Sequence, residues 1–329
     1  SCTHREAAPR SARVHPAAMP ANPTLPLPLL ENSVMHVLVT GGTGFIGRAL
    51  CPALLQAGHQ VSVLSRDAAR ATQALPGIQA LEDLHGAAPA DAVINLAGEP
   101  LSEGRWNETR KRRFRTSRIG TTRALIDWIA QLDAAQRPAC LLSGSAIGYY
   151  GDRGGDLLDE RSAAGADFAA QLCRDWEAEA LRAQALGVRT SLVRTGVVLG
   201  RDGGALARML PPFRLGLGGR MGDGRQWMSW IHRDDHVGLL LWLLQHGGDG
   251  AYNATAPAPA TNADFAAQLG RALHRPALLP APAAALRLAF GEMADLLLGS
   301  QRALPTRAQQ EGYVFRHPEL GEALRAVIG

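Results

Sequence analysis

Gly41, Gly44 and Gly47 recur at every third position between an apolar run at residues 37–39 and a helical pattern through Arg48, Ala49, Leu50, Leu54 and Leu55. This spacing suits one kind of chemistry. The first glycine turns the chain tightly out of a strand, the second lets backbone approach a pyrophosphate, and the third lets the helix pack closely. The opening turn of the helix then offers free N–H groups and a positive dipole end to the phosphates. Thr40, Gly41, Gly44, Phe45, Ile46 and Gly47 therefore form a candidate dinucleotide-binding loop. The plain alternative is a glycine-rich turn without a ligand. The strand before and the helix after favour binding.

Cofactor choice is read just after the second strand, which ends Val63-Leu64-Ser65-Arg66. An NAD site normally has an acid here to accept from the ribose 2′-OH. Ser65 takes the acid's position, and Arg66 offers a guanidinium for charge-assisted bonds to a 2′-phosphate. NADP is the expected cofactor. Asp67 argues weakly the other way, as the acid of a longer strand, and a surface arginine is the plain reading of Arg66.

Asn95-Leu96-Ala97-Gly98 closes the fourth strand with small residues, leaving room for a ligand across the sheet edge. At the end of the fifth strand, Ser145, Tyr149 and Tyr150 would face a nicotinamide. Further on, Trp227, Met228 and Trp230 read as walls of a substrate pocket, with Arg225, Gln226 and Ser229 as polar contacts. His232 stands between the tryptophans and two carboxylates, Asp234 and Asp235, as a candidate general acid/base. Its plain reading is a histidine that fixes a loop against one of those aspartates.

The elements that must position these groups alternate. Strands are expected over 36–40, 60–65, 78–81, 92–96, 139–145 and 189–199, the last with a turn inside it. Helices are expected over 44–57, 68–74, 107–132 and 168–186. That order implies βαβ units and an α/β fold, a Rossmann-type doubly wound parallel sheet with helices on both faces. After Gly200 the pattern loosens into a helix over 203–214, a glycine-rich loop, a short strand over 227–231, a helix over 234–245, a strand over 251–254 and a helix over 261–274. Residues 35–200 are expected to bind the nucleotide, with parts of 230–255 completing the sheet. Residues 201–329, with their C-terminal helical segment, form the smaller substrate-binding part. Residues 1–34 are rich in proline and alanine and are expected to be a disordered extension, with Met35 as the native start.

Composition narrows the function classes. The net charge of +4 is mild, and no basic stripe carries interleaved aromatics. Residues 110–115 are the one basic run, read as a solvated helix face rather than a nucleic-acid site. The cysteines, Cys2, Cys51, Cys140 and Cys173, have neither C-x-x-C spacing nor histidines at ligand spacing. A disulfide framework and a metal site are not expected, and a reducing cytoplasm fits. No apolar run reaches the ~20 residues of a membrane span. A small-molecule substrate is the expected partner, with the chain a monomer or homodimer.

Together these segments resemble the extended short-chain dehydrogenase/reductase superfamily in its epimerase-like group, the NAD-dependent epimerase/dehydratase superfamily. The resemblance runs through residues 40–47, 95–98 and 145–151 and covers essentially residues 35–329. Residues 143–151, 173–177, 194–200 and 224–235 look like an atypical epimerase-like subgroup. Residues 301–305 match that subgroup's C-terminal domain of unknown function. The resemblance implies that Arg194, Gly196 and Val197 border the cofactor and that the substrate part begins after residue 200.

The superfamily's acid/base pair is Y-x-x-x-K, and this chain contains no such pair. Counting on from Ser145, the matching helix carries Cys173 and Glu177 instead. A thiol, with a reference pKa of about 8.5 against about 10 for a phenol, could exchange a proton unaided. Anionic Glu177 would raise that pKa, however, and a thiol reaches less far than a phenol. Ser145, Tyr149, Cys173, Glu177 and His232 are thus the candidate catalytic groups. Cys173 is equally read as a small buried hydrophobe, and Glu177 as a surface helix residue. Three functions are compatible: an NADP-dependent oxidoreductase on a small carbonyl or alcohol, with Ser145 polarising the oxygen; an epimerase- or isomerase-like enzyme that retains its cofactor; and a catalytically silent NADP-binding redox sensor.

Overall fold

The computed structural model describes residues 34–102 and 104–329, so the extension expected over 1–34 lies, but for Val34, outside the described residues, as does Cys2. Short aliphatic runs make the strands, and glycine or polar turns lead each into a helix. β1 (His36–Thr40) passes through the glycine loop into α1 (Gly47–Gln56). β2 (Gln60–Leu64), α2 (Ala68–Ala74), β3 (Gln79–Leu81) and β4 (Ala92–Asn95) follow. α3 (Glu108–Arg115) runs through a π-helical turn, Thr116–Gly120, into α4 (Thr121–Gln131). Then come β5 (Cys140–Ala146), β6 (Leu157–Leu158), α5 (Phe168–Leu181), β7 (Arg189–Thr195), β8 (Val197–Leu199) and α6 (Gly204–Arg214). β9 (Trp227–Met228), β10 (Trp230–His232), α7 (Arg233–His246), β11 (Gly250–Ala254), β12 (Ala260–Thr261) and α8 (Asn262–Ala272) lead to the C-terminal segment. That segment holds α9 (Ala283–Phe290), α10 (Ala294–Leu298), β13 (Arg302–Ala303), α11 (Thr306–Gln310) and α12 (Leu320–Ile328).

The main sheet has seven strands in the order β11-β7-β5-β4-β1-β2-β3, all parallel. This is the doubly wound α/β fold expected. The chain moves one way from β1 to β3, then crosses back to β4 and moves the other way. The strand order therefore reverses between β1 and β4, where open α/β sheets leave a crevice for ligands. Thr40 and Asn95 end those strands and are in register.

Both faces of the sheet are covered, so its central strands are apolar on both sides. Val37 and Val39 pack with Leu50, Leu54, Val63 and Leu240 on one face. Leu38 points the other way, to Leu125, Ile126, Ile129 and Leu141. A second core joins Leu206, Phe213, Trp230, Phe265 and Leu324 in the C-terminal part.

Two expected strands divide. The strand expected over 189–199 breaks at Gly196, where a Cβ would lie 2.5 Å from the Ser229 carbonyl oxygen. β7 stays in the main sheet, while β8 pairs with β10. The strand expected over 227–231 breaks at Ser229, so β9 pairs with β12 instead. No helix among the described residues is long and apolar enough to cross a membrane. The basic run lies on α3 and is largely ion-paired: Arg110 and Arg113 with Glu99, Lys111 with Glu292, and Arg115 with Asp175.

Candidate functional site

The glycine loop is built as its spacing suggests. Gly41 has φ +70°, a left-handed conformation, and a Cβ there would lie 2.6 Å from the Leu96 carbonyl oxygen. Only glycine allows both the turn and the close approach of the segment after β4. A Cβ on Gly47 would collide with the carbonyls of Gly41 and Gly42, so this glycine seats α1 on the loop itself. Gly44 is exposed. α1 has no side-chain cap and no acid in its first turn. Its opening N–H groups are therefore left for an anion.

Phe45 packs on the segment that follows β8. Its ring fills a cradle over Gly200, Gly203 and Gly204, with the Arg233 guanidinium 5.2 Å from the ring centroid. A Cβ on Gly200 would come within 2.5 Å of that ring. The close spacing of those three glycines was the signal for this cradle.

Arg66 is exposed at the end of β2 and forms no ion pair among the described residues. Asp67 is occupied: its carboxylate caps α2 by accepting from the Arg70 N–H at 2.9 Å. Ser65 Oγ bonds the Asp67 backbone. An open helix end for a pyrophosphate and an unpaired guanidinium for a 2′-phosphate fit NADP.

Asn95 is fully buried and works through its neighbours. Its Oδ1 accepts from Thr40 Oγ1 at 2.6 Å, and its Nδ2 donates to Thr122 Oγ1 at 2.8 Å. Trp176 Nε1 donates to the same hydroxyl at 2.9 Å. The Ala97 N–H reaches Thr40 Oγ1 at 3.2 Å. These bonds lock β1 and β4 to α4 and α5 and set the path of Leu96, Ala97 and Gly98 along the crevice.

At the end of β5 the structure assembles a buried polar chain. Ser145 Oγ donates to Glu177 Oε1 at 2.6 Å. Glu177 accepts two bonds from Arg194, from Nε and Nη2, each at 2.8 Å. Glu177 and Arg194 are each 5% exposed, so Glu177 is not a surface helix residue. A carboxylate in this position survives because a bidentate guanidinium neutralises it. Burial alone would pull Arg194 down, but Glu177 holds it above its ordinary value. The Arg194 side chain, expected beside the cofactor, is thus spent on Glu177 and on Tyr149, whose ring centroid lies 3.5 Å from its guanidinium carbon. Gly196 and Val197 follow it at the break between β7 and β8.

Cys173 lies on α5 one turn before Glu177, with Ser145 in hydrogen-bonding reach of its thiol. Burial first, and then Glu177, push that thiol up to about 11. Tyr150 is a structural group. Its hydroxyl donates to Asn253 at 2.7 Å and accepts from Arg194, and burial pushes it up to about 12.

His232 caps α7: its Nδ1 accepts from the Asp234 N–H at 3.1 Å, and its ring lies against His317 with centroids 4.0 Å apart. Burial, and then His317, lower its pKa. The fold gathers ligand atoms of His232, Asp234 and His317 within 4.8 Å, a cluster that sequence spacing did not reveal. Nδ1 of His232 is already committed to the cap.

The residues expected to wall the substrate pocket are mostly internal. Trp230 is fully buried in the second core, with Nε1 bonded to the Ala258 carbonyl. Gln226 bonds the carbonyls of Met221 and Leu297. Ser229 Oγ donates toward the carbonyls of Gln301 and Ala303 and accepts from the Ala303 N–H, pinning β13. Trp227 stacks with Arg302 at 4.0 Å. Gln226 and Ser229 face inward and hold the C-terminal segment down. A cavity of about 320 Å³ lies elsewhere, with Trp106, Gly148, Phe168 and Ala169 on one side and Leu296 and Gln301 on the other. None of the six residues expected at the substrate pocket lines it. The aromatic pair Trp106–Phe168 (centroids 5.4 Å apart) leaves no signal in sequence because its members are 62 positions distant. A smaller cavity of about 200 Å³ by Arg220 and Leu278 touches none of the expected site residues.

Comparison with known proteins shows the family. Residues 37–255 match the family model described as NAD dependent epimerase/dehydratase family, and residues 281–327 match a domain of unknown function (DUF1731). The chain is 42% identical over 311 residues to the epimerase family protein SDR39U1 homolog, chloroplastic, of Arabidopsis thaliana, covering 91% of this chain and 88% of that protein. It is similar to the crystal structure of human epimerase family protein SDR39U1 (isoform2) with NADPH, with TM-score 0.81 and 39% identity, covering 89% of this chain and 99% of that one. A UDP-glucuronic acid 4-epimerase of Bacillus cereus, at 18% identity and TM-score 0.68 over 89% of this chain and 98% of that one, shares the fold. Glycine loop, crevice and C-terminal segment all fall within these matches, and the chain belongs to the NAD dependent epimerase/dehydratase family.

Proposed function

We propose that this protein is an NADP-dependent oxidoreductase acting on a small carbonyl or alcohol. The observation that carries the reading is the buried chain Ser145–Glu177–Arg194 at the end of β5, beside the nucleotide crevice. The human relative's structure with NADPH and the unpaired Arg66 support NADP. In this reading residues 35–200 hold the cofactor and residues 201–329 close the substrate side.

Thr40, Gly41, Gly44, Ile46 and Gly47 would cradle the pyrophosphate, and Arg66 would pair with the 2′-phosphate. Bound NADPH supplies a hydride to a carbonyl carbon. The protein's own task is the proton. Ser145 directs its hydrogen at Glu177, so its lone pairs remain to accept from a substrate hydroxyl. In the oxidising direction that proton passes to Ser145 Oγ as the serine hydrogen passes to Glu177. In the reducing direction the same transfers run backward and deliver a proton to the carbonyl oxygen. Arg194 holds Glu177 in orientation between turnovers, and Cys173 borders the serine. The pair Ser145–Glu177 thereby does the work of the missing tyrosine and lysine. We infer a reducing compartment such as the cytoplasm, in keeping with the free Cys51, Cys140 and Cys173.

The test is NADPH consumption against a carbonyl panel with wild type and Ser145→Ala. Turnover should fall by about 100-fold in the variant while NADPH affinity holds. Tight NADPH binding with no turnover of any carbonyl would reject the oxidoreductase reading. Copurified nucleotide with no net consumption would instead favour an epimerase-like enzyme.

A further inference from the structure

Arg118 is a cation without a counter-ion. It lies in the π-helical turn Thr116–Gly120, between α3 and α4. Such turns inside helices recur at functional sites. Among the described residues no carboxylate lies within ion-pair distance of it, whereas Arg110, Arg113, Arg115, Arg123 and Arg194 nearby all have one. Among the described residues its guanidinium makes one hydrogen bond, to the Phe114 carbonyl, long at 3.5 Å.

The guanidinium is held in place by packing. Its central carbon lies 5.4 Å from the Trp176 ring centroid and 3.0 Å from where a Cβ on Gly98 would stand. Gly98 is the exposed residue after β4, and any side chain there would displace the arginine. Burial lowers Arg118, and the groups of opposite tendency that face it are Cys173 and Glu99. Glu99 is already shared by Arg110 and Arg113. A partly desolvated guanidinium with no anionic partner costs stability unless something else recovers it. Its planar fork is made for a carboxylate or phosphate.

The phosphates of NADP have other receptors. The pyrophosphate faces the open end of α1, and the 2′-phosphate faces Arg66 at the end of β2. β2 is separated from β4 by β1, so Arg118 stands on the opposite side of the crevice. The Trp176 ring that Arg118 packs on lies against Gly144, the neighbour of Ser145 on β5, where a Cβ would come within 3.0 Å of it, and the charge of Arg118 acts on the Cys173 thiol that Ser145 reaches. An anion on Arg118 and a reacting oxygen on Ser145 would belong to one short molecule. Phe114, one turn before Arg118, packs edge-on against Trp106 of the cavity wall.

We propose that Arg118 receives the carboxylate of the substrate, which makes the substrate a short oxo acid or the corresponding hydroxy acid. This rests on the oxidoreductase reading above and adds the substrate class.

The experiment measures binding of pyruvate and acetoacetate, each against its methyl ester, to NADP-saturated wild type, Arg118→Met and Arg118→Lys by calorimetry, with NADPH affinity measured in parallel. Wild type should bind at least one acid about tenfold more tightly than its ester, and Arg118→Met should lose that preference. Arg118→Lys, which keeps the charge, should retain part of it. NADPH affinity should change by no more than about twofold in either variant. Equal binding of acid and ester by wild type overturns the proposal, as does a preference that survives in Arg118→Met. A loss as complete in Arg118→Lys as in Arg118→Met, in folded protein, assigns the residue to packing and also overturns it. A tenfold loss of NADPH affinity in Arg118→Met would hand the cation to the cofactor. Failure of wild type to bind NADPH at all would instead reject the oxidoreductase reading itself.

Discussion

Glu177 and Arg194 are the residues whose chemistry is most altered by being folded. Each alone would be a charge in a buried site, and together they form a bidentate pair with Ser145 attached. Breaking one partner leaves the other uncompensated, which typically costs about 3–5 kcal/mol. Arg194→Met should therefore lower the unfolding free energy by about that much in urea titration. Arg194→Met combined with Glu177→Leu should be more stable than Arg194→Met alone, because no lone charge remains. Both variants should still bind NADPH. Loss of binding in folded protein would return Arg194 to the cofactor side.

At the scale of elements, two helix starts do different work. α1 begins without a side-chain cap, and α2 begins on the Asp67 carboxylate. Asp67→Ala removes a cap and should cost about 1 kcal/mol of stability. The ratio of NADPH to NADH affinity should stay unchanged. A shift of that ratio would show that Asp67 reads the ribose after all. Gly47→Ala acts on the other start. Its added methyl meets the carbonyls of Gly41 and Gly42, which belong to backbone and cannot swing aside. NADPH binding should fall by at least about tenfold in fluorescence titration, even where circular dichroism shows a folded sheet. Unchanged affinity would mean that the loop yields without losing its anion site.

Across the whole molecule, α7 carries a titration that couples folding to acid. His236 is fully buried beneath β7, with Nε2 3.0 Å from Thr195 Oγ1 and Nδ1 without a partner among the described residues. Burial lowers its pKa from 6.5 to about 4. Between those values the unfolded chain binds a proton that the native protein refuses. The contribution is present above pH 6.5 and lost as pH falls toward 4, about 3 kcal/mol in all. Urea titrations of wild type at neutral and acid pH should show that loss, and His236→Gln should lose less by about 3 kcal/mol. An equal acid loss in both proteins would place the sensitive group elsewhere.

The sequence by itself determined what is local. The order of the main-sheet strands and their helices over residues 36–195 follows from apolar periodicity, though the two-residue β6 was not among the expected strands, and the glycine loop follows from a turn that only glycine can make. The missing Y-x-x-x-K pair is a matter of counting. Even the upward push of Glu177 on Cys173 followed from their one-turn spacing. Tertiary structure decided what depends on partners distant in the chain. Arg194 neutralises Glu177 because β7 lies beside β5 and α5 covers both. Gln226, Ser229 and Trp230 look like pocket residues by type, but residues 297–303 need their hydrogen bonds and Trp230 fills a core. Trp106 and Phe168 form the cavity wall because α3 and α5 start side by side. Residue type states which interactions a side chain can make. The fold chooses among them, because burial and a charge's nearest neighbour are properties of long-range contacts that no short window of sequence contains.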